Sequence, residues 1–521
     1  MLKEDTGISE ILTRAEAAAF IRVSEKTLGE MARARRIPSQ KVGREWRFLR
    51  SALENWLVGK GVRDDNRLIE TTGPEQPAVA EAFVQYALPI SDFRDTAFSE
   101  NHDRTLHRWT PWIAGFSGSF VSGVLEGVRR ERHRLRVLDP FAGVGTTLIE
   151  ALKYECDATG FEINPYAALA CKAKVQAAQY DADILATTLD RFEEYGEEKL
   201  SLDERATSLP PQGFSSRVPF FSPKVERQVL ACQDFIAQET TDWVTDLFQV
   251  AFGAVMVSFS NYSYEPSLGT RAGAGKPNID HADVFSIVKR KLREMHEDIM
   301  TFQGWMRKHK RMPQATVYPL SYLDHARRIR PNSIDVLITS PPYLNNYHYV
   351  RNTRPHMFWL GMVQTSADLK TIEHKSFGQF WQTVRSGPQV ALRPHLPHLA
   401  EQLEDLRACH AEKGTYGGRG WANYAATYFN DCQLFCGLTR TRMRPGGKVV
   451  VVIGNNILQG LEFQTDKLFA EIAEQEGFEI VALHEVRKKR TGNSIVNSSV
   501  RNGTVTQRTR LYETAVELRV P

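Results

Sequence analysis

The sequence predicts an α/β fold of the Rossmann-like kind, with helical insertions, preceded by a small module of short helices. Three stretches lead to this prediction. A β-branched strand, a glycine-rich turn and a helix follow one another at 135–152, a strongly apolar strand occupies 333–339, and short helices joined by tight turns fill 12–57. At 521 residues with 42% hydrophobic and 25% charged side chains, the chain can bury the cores of about two to four domains.

The composition excludes several classes of protein, because it differs from that of disordered, collagen-like and coiled-coil chains. No apolar run reaches the roughly 18 residues that a membrane helix needs, and the charged N-terminus has no apolar stretch behind it. The six cysteines form no disulfide framework, and Cys432 and Cys436 have no second close pair that would complete a metal site. We therefore expect a cytoplasmic protein without a membrane anchor or a bound metal.

Basic charge is concentrated in three segments, although the whole chain has a net charge of only +4. Residues 1–60 hold twelve Lys and Arg against eight Asp and Glu, 289–311 hold eight against three, and 484–510 hold seven against one. Any one of these segments could be an ordinary solvated face. Three together favour a polyanionic partner.

The first module in chain order lies at 12–57. Thr13 and Glu16 have the spacing of a helix capping box, and Ser24 is placed to cap a second helix shortly after the first ends. Two short helices joined by a tight turn are typical of a helix-turn-helix. The alternating residues around Gly43 predict a small hairpin wing.

This module resembles the excisionase or MerR-type winged helix-turn-helix over about fifty residues, with residues 1–60 as the domain and 61–80 as a linker. Its second helix and wing are rich in basic side chains suited to phosphates and base edges. A dimerisation module without DNA contact is the alternative. The residues expected to bind DNA are Lys26, Arg33, Arg35, Arg36 and Arg44.

The segment 135–152 carries the strongest pattern. Its strand ends in Asp139, and the glycine-rich turn that follows allows a ligand to approach the main chain closely. A second strand ends in Glu162, where an acid can accept both hydroxyls of a ribose. No Gly-Lys-Ser/Thr sequence is present, so this is not a P-loop. The predicted ligand-binding residues here are Asp139, Pro140, Phe141, Ala142, Gly143, Gly145, Thr146, Thr147 and Glu162.

A second loop whose residues are suited to catalysis follows the strand at 333–339. It consists of Ser340, Pro341, Pro342 and Tyr343. The two prolines remove two amide donors, which leaves carbonyl oxygens and the Ser340 hydroxyl as acceptors. Acceptors beside an aromatic ring suit a flipped base with an exocyclic amine, because the oxygens hold the NH₂ group while the ring stacks on the base.

The two loops together resemble those of the amino-group DNA methyltransferases, in the gamma order of motifs. DPFAGVGTT at 139–147 resembles their cofactor loop, and TSPPY at 339–343 their catalytic loop. HRWTPWIAGF at 107–116 resembles their upstream cofactor segment, which assigns cofactor contacts to Trp112 and Phe116. The segments 443–455, 477–486 and 511–520 resemble the later strand and the closing antiparallel pair.

The resemblance implies a class I methyltransferase fold with a seven-stranded, mostly parallel sheet over 81–521. It implies S-adenosyl-L-methionine as cofactor and direct methyl transfer to the base amine of double-stranded DNA, with the four residues from Ser340 to Tyr343 as the catalytic loop. No metal and no covalent nucleophile are implied. The residues after the loop that could hold the extruded nucleotide include Tyr347, Tyr349 and Arg351.

The sequence leaves several features open. The region of the third strand lacks the family's usual Gly-Asp, so Ser321 and Asp324 are rivals for the contact to the adenine ring. The long insertions at 164–315 and 363–425 are candidates for target recognition, with a plain helical cap as the alternative. No nuclease motif is evident, so a restriction endonuclease or another defence component would be a separate partner.

The target base is the last open question. Cytosine N4 and adenine N6 present the same kind of edge, and Ser at position 340 favours cytosine, as in the family that the loop resembles. An RNA base methyltransferase is a second hypothesis, which the helix-turn-helix and Ser340 disfavour. A non-catalytic DNA-binding regulator with a methyltransferase-like fold is a third, which the intact loops disfavour.

Overall fold

The computed structural model describes residues 11–21, 23–33, 37, 39–42, 45–49, 53, 93, 98–112, 115, 117–129, 135–202, 205–264, 267–344, 348–488 and 511–521. The chain forms two compact units, residues 1–84 and residues 85–521. Each unit has its own core, and each is described by itself.

The N-terminal unit combines two short helices with a three-stranded antiparallel sheet. The helices are Arg14–Phe20 and Glu25–Arg33, and the strands are Ile11–Thr13, Gln40–Val42 and Glu45–Leu49. Glu45–Leu49 is the central strand, so the last two strands form the predicted wing. The first strand was not predicted from the sequence. It pairs with Glu45–Leu49 and supplies hydrogen-bond partners for the main chain along the second edge of that strand.

Both predicted helix caps of this unit are present. The Thr13 hydroxyl accepts from the amide of Glu16 at 3.3 Å, and the Glu16 carboxylate accepts from the amide of Thr13 at 2.8 Å. The Ser24 hydroxyl accepts from the amide of Thr27 at 3.0 Å. These bonds occupy amides that a helix start leaves without a partner, which explains where both helices begin.

The larger unit is built on a seven-stranded sheet, which confirms the α/β prediction. In chain order the strands are β1 (Arg136–Asp139), β2 (Asp157–Phe161), β3 (Ala315–Tyr318), β4 (Ile334–Thr339), β5 (Met443–Gly454), β6 (Glu479–Lys488) and β7 (Tyr512–Arg519). Their order across the sheet is β6-β7-β5-β4-β1-β2-β3. Only β7 runs antiparallel to its neighbours; the other pairings are parallel.

Both faces of this sheet are covered, which is why its middle strands are apolar throughout. All six residues of β4 are buried. Val336 and Ile338 belong to the core on one face, whereas Leu337 belongs to the core on the other, as the two-residue period of a strand requires.

Two groups of helices cover the two faces. One group packs on the core that contains Val336: Gly118–Arg129, Thr146–Lys153, Pro165–Val175, Ala182–Leu202, Pro223–Glu239, Asp242–Val255 and Val284–Met306. The other packs on the core that contains Leu337: Pro397–Ala408, Gly418–Arg442 and Thr465–Gln475. Further α-helices of this unit are Tyr322–His325, Tyr349–Trp359, Ser366–Lys375 and Trp381–Val384. Within the ranges described, no helix has both the length and the apolarity to cross a bilayer.

The first insertion adds helices and one small ribbon, and of its described residues only Ala315, the last one, belongs to the central sheet, as the first residue of β3. The ribbon pairs Tyr262–Tyr264 with Leu268–Thr270. A second ribbon, Asn456–Leu458 with Leu461–Phe463, follows β5. The final residues of the second insertion, 418–425, form the first turns of the helix Gly418–Arg442.

Two of the predicted basic segments lie in this unit. In the segment 289–311, Lys291 donates to the carbonyl of Arg108 at 3.0 Å and Arg311 pairs with Asp157 at 3.1 Å, so part of its charge is used inside the fold. Most of the segment 484–510 lies outside the described residues. The antiparallel pairing of β6 with β7 on either side of it confirms the predicted closing pair.

Candidate active site

The carboxyl ends of β1, β2, β3 and β4 meet at one edge of the sheet, and a cavity opens there, as expected for an open α/β sheet. The cavity brings the two predicted loops together. The predicted site residues that line it are Trp112, Asp139, Pro140, Phe141, Ala142, Gly143, Thr146, Glu162, Ser340, Pro342, Tyr343 and Tyr349.

Asp139 connects the ends of β1 and β4. Its buried carboxylate accepts from the Thr339 hydroxyl at 2.6 Å and from the amide of Phe141 at 3.1 Å. Burial raises the pKa of Asp139 to about 6, against the opposing effect of these hydrogen bonds. The residue therefore fixes the start of the glycine-rich loop relative to the strand that carries the second loop.

Glu162, at the end of β2, holds the glycine-rich loop from the other side. One carboxylate oxygen accepts from the amide of Gly143 at 2.8 Å and the other from the amide of Asn164 at 2.7 Å. Burial raises the pKa of Glu162 to about 7, and these two amides act in the opposite direction. Each oxygen keeps lone-pair capacity for one more donor.

The two loop glycines have different surroundings. Gly143 has φ +51° and faces the cavity, where a Cβ would lie 3.2 Å from Nε1 of Trp112. Gly145 has φ +92° and packs against the helix Pro165–Val175, so that a Cβ would lie 2.9 Å from Sγ of Cys171. Gly145 and Thr147 are not among the lining residues; the Thr147 hydroxyl instead donates to the carbonyl of Ile338 at 3.4 Å.

Trp112, from the upstream segment, forms one wall of the cavity, and the first insertion anchors that segment. The Asp298 carboxylate, on the helix Val284–Met306, accepts from the indole of Trp109 at 3.0 Å and from the amide of Leu106 at 2.8 Å. Arg108 adds an ion pair to the same carboxylate at 2.8 Å. Phe116, the other predicted contact of this segment, lies outside the described residues.

The second loop lines the same cavity as Glu162. The Ser340 hydroxyl is 3.5 Å from the hydroxyl of Tyr343, and Pro341 is buried beneath the loop. The Tyr343 ring lies beside β5, 3.6 Å from the place where a Cβ on Gly454 would be. Burial, followed by the charge of Glu513, raises the pKa of Tyr343, which keeps the phenol neutral at physiological pH.

The helix Tyr349–Trp359 follows the second loop, and a histidine caps its start. Nδ1 of His348 accepts from the amide of Arg351 at 3.2 Å, and its ring stacks on Phe380 with centroids 3.8 Å apart. Tyr349 stacks on Trp112 at 5.9 Å inside the cavity. Arg351 points to solvent outside it, and the predicted residue Tyr347 lies outside the described residues.

The second insertion supplies a wall that the sequence did not predict. Phe377 contacts Phe141 of the glycine-rich loop with centroids 5.1 Å apart, and the amide of Gly378 donates to the Asp431 carboxylate at 2.8 Å. No motif in this insertion could have revealed the wall, because the contact of Phe377 with Phe141 joins segments more than two hundred residues apart. The residues it contributes are Ile372, Lys375, Ser376, Phe377, Gln379, Phe380 and Tyr424.

Ser321 and Asp324, the two candidates for the contact to the adenine ring, lie in different places relative to the cavity. Ser321 lies shortly after β3 and lines the cavity next to Leu320 and Tyr322. Asp324, one turn further into the short helix, is not among the lining residues. The geometry therefore brings Ser321, rather than Asp324, to the candidate cofactor region.

The predicted DNA-binding residues of the N-terminal unit are only partly described. Lys26 and Arg33 lie on the helix Glu25–Arg33, whose start Ser24 caps. Arg35, Arg36 and Arg44 lie outside the described residues. Their role in binding DNA stays a prediction.

Comparison with known proteins yields one matching family model and several similar proteins. Residues 11–59 match a family model described as a helix-turn-helix domain. The chain is similar to the type II methyltransferase M.BsoBI of Geobacillus stearothermophilus, with 24% identity over 432 residues that cover 76% of this chain and 83% of that protein. It is also similar to the type II methyltransferases M.AvaI of Nostoc sp. and of Anabaena variabilis, each 21% identical over 408 residues that cover 74% of this chain and 81% of theirs.

Proposed function

We propose that this protein is a DNA methyltransferase that transfers a methyl group from S-adenosylmethionine to the exocyclic amine of a flipped base, with cytosine N4 as the preferred target. One observation carries the proposal: Gly143 and Glu162 line the same cavity as Ser340 and Tyr343. The similarity to type II methyltransferases supports the same activity.

The residues around Gly143 fit the cofactor. The loop leaves no side chain at Gly143, where a Cβ would crowd Trp112, so a flat ligand can approach the main chain there. The two Glu162 oxygens each retain an acceptor position suited to a ribose hydroxyl. Trp112 offers an aromatic face, and Ser321 a hydroxyl, toward the same space. When bound, S-adenosylmethionine supplies an activated methyl group on a sulfonium sulfur.

The second loop provides what the base amine requires. Pro341 and Pro342 have no amide donors, so the loop presents carbonyl oxygens and the Ser340 hydroxyl as acceptors for the two amine protons. These hydrogen bonds strengthen as positive charge develops on the nitrogen, so they favour the transition state over the ground state. The neutral ring of Tyr343 stacks on the base and holds it in line for transfer.

Double-stranded DNA is the substrate, and the helix-turn-helix unit binds it independently of the catalytic loop. A restriction endonuclease of the same specificity, or another defence component, is the partner that the type II relatives suggest.

The decisive experiment incubates the full chain with methyl-labelled S-adenosylmethionine and unmethylated duplex DNA, then hydrolyses the DNA and identifies the labelled nucleoside. Labelled N4-methylcytosine is expected. Labelled N6-methyladenine would support the proposed methyl transfer and show that the target base is adenine instead of cytosine. Label in transfer RNA but not in DNA would replace the proposal with the RNA hypothesis, and cofactor binding without any transfer would favour the regulator.

A further inference from the structure

A second cleft lies outside the cavity, between the first insertion and the helix Tyr349–Trp359. Three arginines line it: Arg217 from the insertion, and Arg351 and Arg354 from the helix. The hydroxyls of Ser215 and Ser216 line it as well. No acidic side chain is among its described lining residues, so the cleft is a concentrated patch of positive charge.

None of these three arginines forms an ion pair within the described part of the chain. Other exposed arginines of the same unit do: Arg191 pairs with Glu239, and Arg519 with Glu479 at 2.6 Å. Exposed lysines and arginines usually form ion pairs with nearby carboxylates or lie far from one another. Three cations that converge on one cleft without an internal counter-charge indicate an external anion.

One of these cations is held in place before any ligand arrives. The Arg354 guanidinium lies over the ring of Phe214 at 5.2 Å and over that of Phe358 at 5.7 Å, and it donates to the Ser215 hydroxyl at 3.5 Å. A guanidinium that lies over aromatic rings still presents the N–H donors at its edge to an anion. Its side chain also has less conformational freedom to lose when the anion binds. Arg354 is therefore preorganised for binding.

The two walls of the cleft are also tied together. The amide of Leu268 donates to the side-chain oxygen of Asn352 at 2.9 Å, and the Tyr264 hydroxyl donates to the main-chain carbonyl of Asn352 at 3.3 Å. The amide of Arg217 donates to the Tyr262 hydroxyl at 3.1 Å. The ribbon of the first insertion thus fixes both the helix and the loop that bears Arg217.

The cleft and the candidate active site share one helix. Tyr349, its first residue, lines the cavity, and Arg351 and Arg354 follow within about 7.5 Å along the axis at 1.5 Å per residue. A strand whose base enters the cavity therefore carries its sugar–phosphate backbone past the arginines. Guanidinium groups match phosphate oxygens in geometry and charge, whereas they would carry no base information in this position.

We propose that Arg217, Arg351 and Arg354 form a phosphodiester-binding cleft that grips the DNA strand next to the flipped nucleotide. This inference rests on the proposed function and assigns to the first insertion a contact with the backbone of the substrate. Arg217 and Arg354 become DNA contacts in addition to the predicted Arg351.

The test compares the double variant Arg217→Gln/Arg354→Gln with the matched control Lys172→Gln/Arg191→Gln in the full chain. The control removes two positive charges from the same insertion, at side chains paired with Asp246 and Glu239. Affinity for one duplex is measured at several salt concentrations. Each lost phosphate contact lowers the log–log slope by about 0.9, so the double variant should lose about 1 to 2 units while the control keeps the wild-type slope.

Separate readouts distinguish the two levels of the proposal. Cofactor binding should be unchanged in the double variant, which would show that the variant is folded. The methylated sequence should also stay the same, while the rate of methyl transfer at low DNA concentration should fall. A wild-type slope in the double variant, with wild-type protein active on DNA, overturns the cleft alone. If the double variant methylates a different target sequence, the arginines contact bases and not the backbone. If the slope falls only with duplex RNA, the cleft binds RNA. If the wild-type protein is inactive on DNA, the proposed function itself is overturned.

Discussion

The main-chain amide of Gly143 donates a hydrogen bond of 2.8 Å to the carboxylate of Glu162. The bond joins the loop after β1 to the end of β2, so the two elements predicted to bind the cofactor support one another. Because the same carboxylate also accepts from Asn164, the acid is oriented without any ligand. Its remaining acceptor capacity faces the cavity, which makes it the most direct test of the cofactor assignment.

Replacing Glu162 with alanine should weaken binding of S-adenosylmethionine. The change removes the acceptors for the ribose hydroxyls, which costs about 1–3 kcal/mol for groups left without a partner. Isothermal titration calorimetry measures the affinity. Glu198→Ala, at an exposed acid of the first insertion, is the control and should bind as the wild type does. Equal affinity in both variants would show that Glu162 does not hold the cofactor.

Cofactor affinity should rise with pH through about 7. Burial raises the pKa of Glu162 to about 7, so below that pH the carboxyl is mostly protonated and is a poorer acceptor for hydroxyl donors. Affinity should fall by at most about tenfold per pH unit below 7, until the contribution of about 1–3 kcal/mol from the carboxylate is lost, and it should level off above 7. Titrations between pH 5.5 and 8.5 test this, and Glu162→Gln should abolish the step. Asp139, with a pKa of about 6, cannot produce a step that disappears in that variant.

Alanine at the two loop glycines should have separable effects. Gly143→Ala should lower cofactor affinity, because the Cβ would enter the cavity beside Trp112. Gly145→Ala should mainly lower the free energy of unfolding, because its Cβ would meet Cys171 inside the core. Both positions have positive φ, which costs an L-residue about 1–2 kcal/mol. Thermal unfolding and calorimetry on each variant measure the two effects, and a Gly145 variant with native stability would contradict the packing role.

Tyr343→Ala should abolish most methyl transfer while leaving cofactor binding intact. Loss of base stacking is worth about 1–3 kcal/mol in other proteins that bind unstacked bases. Ser340→Ala should have a smaller effect, because the carbonyl oxygens of the two prolines remain as acceptors. Tyr343→Phe is the matched control, since it keeps the ring. Single-turnover transfer rates measure the effects, and a wild-type rate for Tyr343→Ala would show that the loop does not hold the base.

Removing residues 1–60 should weaken DNA binding and flatten its salt dependence, because each lost phosphate contact lowers the slope by about 0.9. The remaining chain should fold and bind the cofactor, because residues 85–521 form a compact unit with their own core. Substituting Arg33, Arg35 and Arg36 with glutamine together should reproduce much of the loss. If the shortened chain kept its DNA affinity, salt slope and methylated sites, the helix-turn-helix would serve assembly or regulation.

Local sequence patterns were sufficient to predict the framework of both units. The capping box of Thr13 and Glu16 depends on residues three apart, so its chemistry is readable in the sequence itself. The strands β1, β4 and β5 were recognisable because a strand buried on both faces consists almost entirely of apolar residues. The order of the motifs placed the two loops at the same edge of one sheet.

Only the tertiary structure decided how the cavity and the cleft are completed. Phe377 and Phe380 come from an insertion without a motif, and Asp298 anchors the segment of Trp112 from a distant helix. Arg217 of the first insertion lines the same cleft as Arg354 of the helix Tyr349–Trp359. The strand Ile11–Thr13 likewise exists because a partner edge is available to it. Local patterns determine which residues form strands, caps and loops, since these interactions span a few residues. Contacts between distant segments depend on how helices pack around the sheet, and no short pattern in this chain encodes that packing.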